Sequence, residues 1–418
     1  MRRVHRAAIV PLVVLALLFG APLAPTTARQ TATPATSAGV EGLYRDPAGR
    51  FTVPIPTNWT VDERSGYVVF SDPDGDITIS AVVVAGTDAK TGIVDGWAVV
   101  DPSFDPNNQP QAIEQEVPSS PGVEKTLVIT YDLGQVSGQV VQAAGQVVGG
   151  HVYVLIFEGT LEAVTRRVSQ IQIISSGFKI TGVAETDLTG VTPKRFDGEL
   201  VREFESYVED LMARLQVPGA AVAVVQNGKM VYAKGFGVKE KGGNEPVTPN
   251  TLMMIGSTTK SMTTMMMASE VDDGVMRWDE PVVDVLPSFA VADPDLTKKI
   301  TVRNLVCACT GVPRRDLELV FNAGQLTPEG VIESLKGFQF STKIGEAFQY
   351  SNQMVATGGY VAAAAAGGRF GELGEAYATQ LRQRVLDPIG MERTTLSFAD
   401  VEADGDYATP HGLRLDNM

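Results

Sequence analysis

The chain has 418 residues, with 34 Lys and Arg against 49 Asp and Glu and a formal net charge of −15. That length predicts two to three domains at roughly 150 residues each, and the acidic balance gives no footprint for nucleic acid or an anionic membrane. Hydrophobic residues at 44% and charged residues at 20% exclude a wholly disordered or fibrous chain. Three histidines and two cysteines exclude a His-rich metal site and a disulfide framework, and no metal or cofactor is expected.

Arg2, Arg3 and Arg6 precede an apolar run from Ala7 to Phe19, and Thr26 and Ala28 follow in an A-x-A-like arrangement. The run is shorter than the about 20 residues a membrane span needs. Residues 1–28 therefore read as a secretory signal peptide cut near Ala28, with an uncleaved anchor as the alternative. This predicts a secreted or cell-envelope protein without an integral span after cleavage. Residues 29–40, rich in Thr, Ala, Ser and Pro, read as a disordered stalk.

Residues 41–180 read as an α+β domain with an antiparallel sheet. Phe51, Val53 and Ile55 alternate with other residues, and further strands are predicted at 67–70, 77–84, 126–131 and 152–157. Asp72-Pro73-Asp74-Gly75 is a turn, as is Lys90-Thr91-Gly92. A helix is predicted at 161–174, with Leu161, Val164, Val168, Ile171 and Ile174 on one face. His151 is expected to be packed in its apolar strand. The segment YRDPAGRFTVPIPTNW resembles the PsbP/Mog1-like group of secreted or lumenal domains.

Residues 181–196 read as a linker. A helix starts near Asp197 and carries Leu200, Val201, Phe204, Tyr207, Val208, Leu211, Met212 and Leu215 at helical spacing. After Pro218-Gly219, residues 220–225 and 229–235 form a hairpin around Asn227-Gly228, since both turn residues tolerate positive φ.

Ser257-Thr258-Thr259-Lys260 is the strongest chemical signal. A serine hydroxyl needs an adjacent base, and residues at i and i+3 of a helix share a face. Met262, Met265 and Met266 predict a buried helix, and burial would favour a neutral lysine. The motif alone is weak, because a helix-capping serine followed by a solvated lysine looks the same. A second match, Ser176-Gly177-Phe178-Lys179, reads as accidental. Tyr350-Ser351-Asn352 adds a phenol able to relay a proton and an amide able to orient a substrate.

Together with these motifs, VPGAAVAVVQNGKMVYAKGFGVKEKGGNEPVTPNTLMMIGSTTKSMTT resembles the serine β-lactamase and penicillin-binding superfamily. The likeness is to the branch of class C β-lactamases and D-alanyl-D-alanine carboxypeptidases. It continues through DGVMRWDEPVVDVLPSF, ITVRNLVCACTGVPRRD, FQYSNQMVATGGY and VLDPIGMERTTLS, covering about residues 196–418. The resemblance implies a β-lactamase/transpeptidase-like α/β domain at 197–418 and a serine hydrolase acting on a small peptide, ester or β-lactam. Ser257 would be acylated, Lys260 and Tyr350 would share acid/base work, and Asn352 would hold the substrate. The Ser257 backbone N–H would be one oxyanion donor.

The family's third motif, Lys-Thr-Gly or His-x-Gly after the Y-x-N, has no match at the right place. Lys90-Thr91-Gly92 precedes the serine, and His411-Gly412 follows Asn352 too soon. The expectation is an incomplete hydrolase domain with impaired turnover. A non-catalytic cell-envelope binding module on the same fold is the alternative. Cys307 and Cys309, with one residue between them, are expected to be small buried residues and not a mutual disulfide.

Overall fold

A computed structural model describes residues 40–411 apart from 110–111, 134–136, 184–188, 313, 317–318, 320–321, 323, 339, 341 and 347. The signal-peptide expectation lies outside the described residues, as does the stalk except for Val40, which opens the first strand. The chain forms two compact units, one of residues 1–186 with 273–374 and one of residues 187–272 with 375–418. The described helices include none long and apolar enough to cross a membrane.

The first unit is built on a seven-stranded antiparallel sheet in the order β3-β4-β5-β9-β8-β7-β6. Its strands are β3 (Thr60–Arg64), β4 (Tyr67–Ser71), β5 (Ile77–Ala85), β6 (Ile113–Val117), β7 (Lys125–Leu133), β8 (Gln139–Val148) and β9 (His151–Thr160). A smaller sheet joins β1 (Val40–Arg45), β2 (Phe51–Pro56) and β10 (Lys179–Ile180). The apolar run of β9 is nearly continuous because both sheet faces are covered. Leu155 and Phe157 pack with Phe51, Val53 and Ile171 on one side, while Val154 and Ile156 pack with Ile93 and Trp97 on the other. Successive side chains of a strand point to opposite faces, so each layer takes alternate residues.

The helix Leu161–Gly177 covers one face, with Val164, Val168, Ile171 and Ile174 buried as its spacing predicts. The helix Ala89–Val100 covers the other, and it contains Lys90-Thr91-Gly92, which sequence reading makes a turn. Its glycines are the reason for the difference. They lower helix propensity, but a Cβ at Gly92 would lie 2.5 Å from Val152, so the close approach of helix and sheet requires glycine there. His151 is exposed at the first position of β9, not packed within the strand.

In the same unit, the turn Asp72–Gly75 is tied to the Leu161–Gly177 helix. Arg167, 5% exposed, sits 2.9 Å from the buried Asp72 carboxylate. Arg167 and Trp59 Nε1 both donate to Gln170 Oε1 at 3.0 Å. Segment 273–374 adds short helices and the longer Asn352–Ala365 helix, whose small residues Gly358, Gly359, Ala362 and Ala363 are buried. It joins the sheet region through Asn58 Nδ2 donating to Glu346 Oε1 at 2.9 Å and Gln349 Nε2 donating to Arg166 O at 2.5 Å.

The second unit opens with the helix Gly198–Leu215, ended by Gln216 at φ 54°. The hairpin of β11 (Gly219–Gln226) and β12 (Lys229–Gly237) turns at Asn227 and Gly228, with φ 53° and 70°, as expected of that dipeptide. The helix Thr259–Asp272 buries Thr263, Met266, Met267 and Glu270. Met266 is buried as the spacing predicts, whereas Met262 is half-buried and Met265 exposed. Met267 joins Met266 on the buried face with Thr263 and Glu270.

Candidate active site

Ser257 lies in a 3₁₀ turn, Gly256–Thr258, that runs directly into the Thr259–Asp272 helix. Gly256 precedes it at φ 50°, a left-handed conformation that glycine adopts without steric cost. Thr258 Oγ1 donates to Ile255 O at 2.6 Å and Ser261 Oγ to Thr258 O at 2.7 Å, which tightens the turn. Lys260 Nζ donates to Ser257 Oγ at 3.0 Å. Ser257 is exposed, and Lys260 is half-buried where sequence reading expects a buried helix face. The lysine lies in the first turn of the Thr259–Asp272 helix, ahead of the buried residues Thr263, Met266, Met267 and Glu270.

The helix bearing the pair is anchored along its buried side. Thr263 Oγ1 and Tyr377 OH are 2.8 Å apart, and burial pushes the Tyr377 phenol above its ordinary pKa. Arg384 Nη1 donates to Ser269 Oγ at 2.9 Å, and Arg384 Nε lies 3.7 Å from the fully buried Glu270 carboxylate. These contacts fix the helix against the turn Arg382–Leu386. A nucleophile and base on one such rigid element keep their mutual geometry.

Tyr350 and Asn352 belong to the other unit. Ser351 caps the Asn352–Ala365 helix, its hydroxyl accepting from Met354 N. Asn352 Nδ2 donates to Asp316 Oδ1 at 2.6 Å, and Asp316 Oδ2 accepts from Arg314 Nε. The Arg314 guanidinium lies 4.9 Å from the centre of the Tyr350 ring. The structure thus brings Ser257 to Lys260 in one unit and gathers Tyr350 and Asn352 around Arg314 and Asp316 in the other. Sequence reading missed Arg314 and Asp316, whose only signal is the charged Arg314-Arg315-Asp316 just after Thr310-Gly311.

Cys307 and Cys309 form a disulfide and are half-buried, which corrects the expectation of two separate buried thiols. The intervening Ala308 adopts φ 52°. That left-handed residue folds the chain back, giving a Cα–Cα distance of 5.3 Å, within the range a disulfide spans. The loop also supports the approach to Tyr350. Gln349 N donates to Ala308 O at 2.6 Å and Gly345 N to Cys309 O at 2.8 Å.

The second S-x-x-K match does not form a pair. Ser176 ends a helix with its hydroxyl on Gln172 O, and Lys179 starts β10. His411 Nε2 accepts from Lys241 N at 2.9 Å, while Gly412 lies outside the described residues.

The family model described as Beta-lactamase matches residues 204–417. Unguisins hydrolase ungD′ of Aspergillus campestris is 29% identical over 213 residues, which are 49% of this chain and 38% of that relative. A beta-lactamase of Pseudomonas fluorescens is 29% identical over 199 residues, 47% of this chain and 51% of the relative. The chain therefore spans about two fifths to one half of these relatives' length. Among solved structures, the octameric penicillin-binding protein homologue from Pyrococcus abyssi is 29% identical at a TM-score of 0.44, covering 50% of this chain and 47% of that one. A class C beta lactamase from Rhodobacter sphaeroides is 22% identical at a TM-score of 0.40, covering 51% and 59%. With a family match that takes in more than half of its residues, and with Ser257 and Lys260 inside the matched region, the chain belongs to the beta-lactamase family.

Proposed function

We propose that the protein is a secreted or cell-envelope serine hydrolase that works through an acyl-enzyme on a small peptide, ester or β-lactam. The observation that carries this reading is the 3.0 Å contact between Lys260 Nζ and Ser257 Oγ on an exposed turn. When the amine is neutral, the contact reverses and the serine O–H donates to nitrogen. The hydroxyl proton then passes to Lys260 as Oγ bonds to the substrate carbonyl carbon. The tetrahedral intermediate collapses as the leaving group departs with a proton, and water later cleaves the acyl ester. Tyr350 relays protons and Asn352 orients the substrate amide, as the family resemblance implies. The relatives named as a hydrolase and a beta-lactamase support hydrolysis as the reaction class.

The Ser257 N–H is one oxyanion donor. Losing one donor typically costs about 10²–10³ in rate. The segment 41–180 is read as a PsbP/Mog1-like accessory domain used for binding or spacing.

The test is ester and β-lactam hydrolysis by purified residues 29–418, with Ser257→Ala as the blank. Serine-dependent turnover is expected, and Lys260→Ala should slow acylation at least about 10²-fold. Hydrolysis equal in the Ser257→Ala protein would overturn the assignment. A ligand retained with no acylation would favour the binding-module alternative.

A further inference from the structure

We propose that Asp316 and Arg314 are positioning residues that set the side chains of Asn352 and Tyr350, an inference that rests on the functional reading above. A single carboxylate joins the two motif residues. Asp316 Oδ1 accepts from Asn352 Nδ2 at 2.6 Å, its Oδ2 accepts from Arg314 Nε, and Arg314 lies over the Tyr350 ring at 4.9 Å. The backbone between them is held as well. Arg315 O accepts from Gln353 Nε2 at 2.9 Å, and Gln353 is 1% exposed. Residues 314–316 are thus fastened to 350–353 by three side-chain contacts.

The chemistry explains why these residue types serve. An amide side chain is nearly symmetric in shape, and its two ends differ only in donating or accepting. An ionised carboxylate only accepts, so Asp316 forces the Asn352 nitrogen toward itself and turns the oxygen the other way. Arginine carries a planar fork that can bond a carboxylate at its edge while its face lies on an aromatic ring, which lysine cannot do. The Arg314 and Asp316 side chains are 17% and 25% exposed. Their pairing is therefore less screened than that of a surface ion pair. The helix Asn352–Ala365 fixes the Asn352 backbone, and the carboxylate holds its side-chain amide.

The experiment is a double-mutant cycle on the full polypeptide, reading the second-order rate of acylation by a penicillin bearing an acylamido group. Asp316→Ala and Asn352→Ala should each lower the rate at least about 10-fold, the scale of a misplaced binding group. If Asp316 acts through Asn352, the double variant should fall no more than about 3-fold below the worse single variant. Asp316→Asn, which keeps an acceptor for the amide, should recover part of the loss, while Arg314→Lys should not match wild type. Thermal midpoints accompany each rate. A second readout is independent of activity: exchange of the Asn352 side-chain amide protons, followed by NMR, should accelerate at least 10-fold in Asp316→Ala and in Asp316→Asn less. Independent, multiplicative rate losses or unchanged amide exchange would overturn the inference. Absence of any penicillin adduct on Ser257 in wild type would remove β-lactams from the functional reading, and the exchange measurement would still decide the positioning. Should Asp316→Ala fail to fold, Asp316→Asn and Arg314→Lys carry the same two readouts.

Discussion

Single residues set local charge balances that pH can probe. Asp46, 6% exposed, accepts from Arg50 N at 3.0 Å and from its Nε and Nη2 at 2.8 Å. The Arg50 side chain holds this carboxyl below the usual aspartate range. A depressed folded-state pKa means the contact stabilises above the unfolded value, about 3.9, and is lost as pH falls through the folded value. Arg50 is 38% exposed, so solvent screens part of the pair. Asp46→Asn should cost about 1 kcal/mol at pH 7 in urea unfolding, and the gap to wild type should narrow as pH falls below the ordinary aspartate range. A gap independent of pH would show that the charge is not what stabilises. At this scale the sequence is readable where partners are close along the chain. Ser257 and Lys260 are three residues apart on one helical turn. Asn352 and Asp316 are 36 apart, a pairing that no local pattern announces.

At the scale of elements, burial decides which patterns can be read. β9 is visible as VYVLIF because both of its faces are covered, whereas β3, the exposed edge strand TVDER, has no apolar alternation to betray it. The helix Ala89–Val100 is hidden by the glycines its packing demands. Gly92→Ala should therefore destabilise by about 1–2 kcal/mol, overpacking against Val152 exceeding the gain in helix propensity; denaturant unfolding measures it, and a stabilised variant would refute the close packing. The Cys307–Cys309 link is hidden for a different reason, since its geometry depends on Ala308 at φ 52°. A ring closed over three residues restricts the unfolded chain little, by about 1–2 kcal/mol. Its effect is local. Cys307→Ser with Cys309→Ser should speed amide exchange at Gly345 and Gln349, which donate to Cys309 and Ala308, while β8 and β9 keep their protection. Equal loss of protection throughout would make the link a global staple instead.

Across the whole molecule, compactness and sequence divide the chain differently. Segment 273–374 groups with residues 1–186 in one unit, although the family match runs from 204 to 417. The two apolar clusters of the seven-stranded sheet nevertheless draw only on residues between 44 and 183. Residues 41–180 hold nearly all of that core and should fold alone, with a single cooperative transition by circular dichroism and by tryptophan fluorescence. Non-coincident or absent transitions would show that the contacts of Asn58 and Arg166 with segment 273–374 are required. The serine-bearing unit reads differently: the helix Gly198–Leu215 has no buried residue, and Val225 and Met230 of its hairpin are 68% and 69% exposed. The amphipathic spacing of that helix is legible in the sequence, but spacing alone does not say what covers its apolar side.

Catalysis as proposed depends first on Ser257 being the nucleophile. The most direct measurement is peptide mapping by mass spectrometry after treating the full polypeptide with a fluorophosphonate probe. One adduct is expected, on the peptide containing Ser257, absent in Ser257→Ala, slowed at least about 10²-fold in Lys260→Ala and unaffected in Ser176→Ala. An adduct on any other serine, or labelling that survives Ser257→Ala, would contradict it.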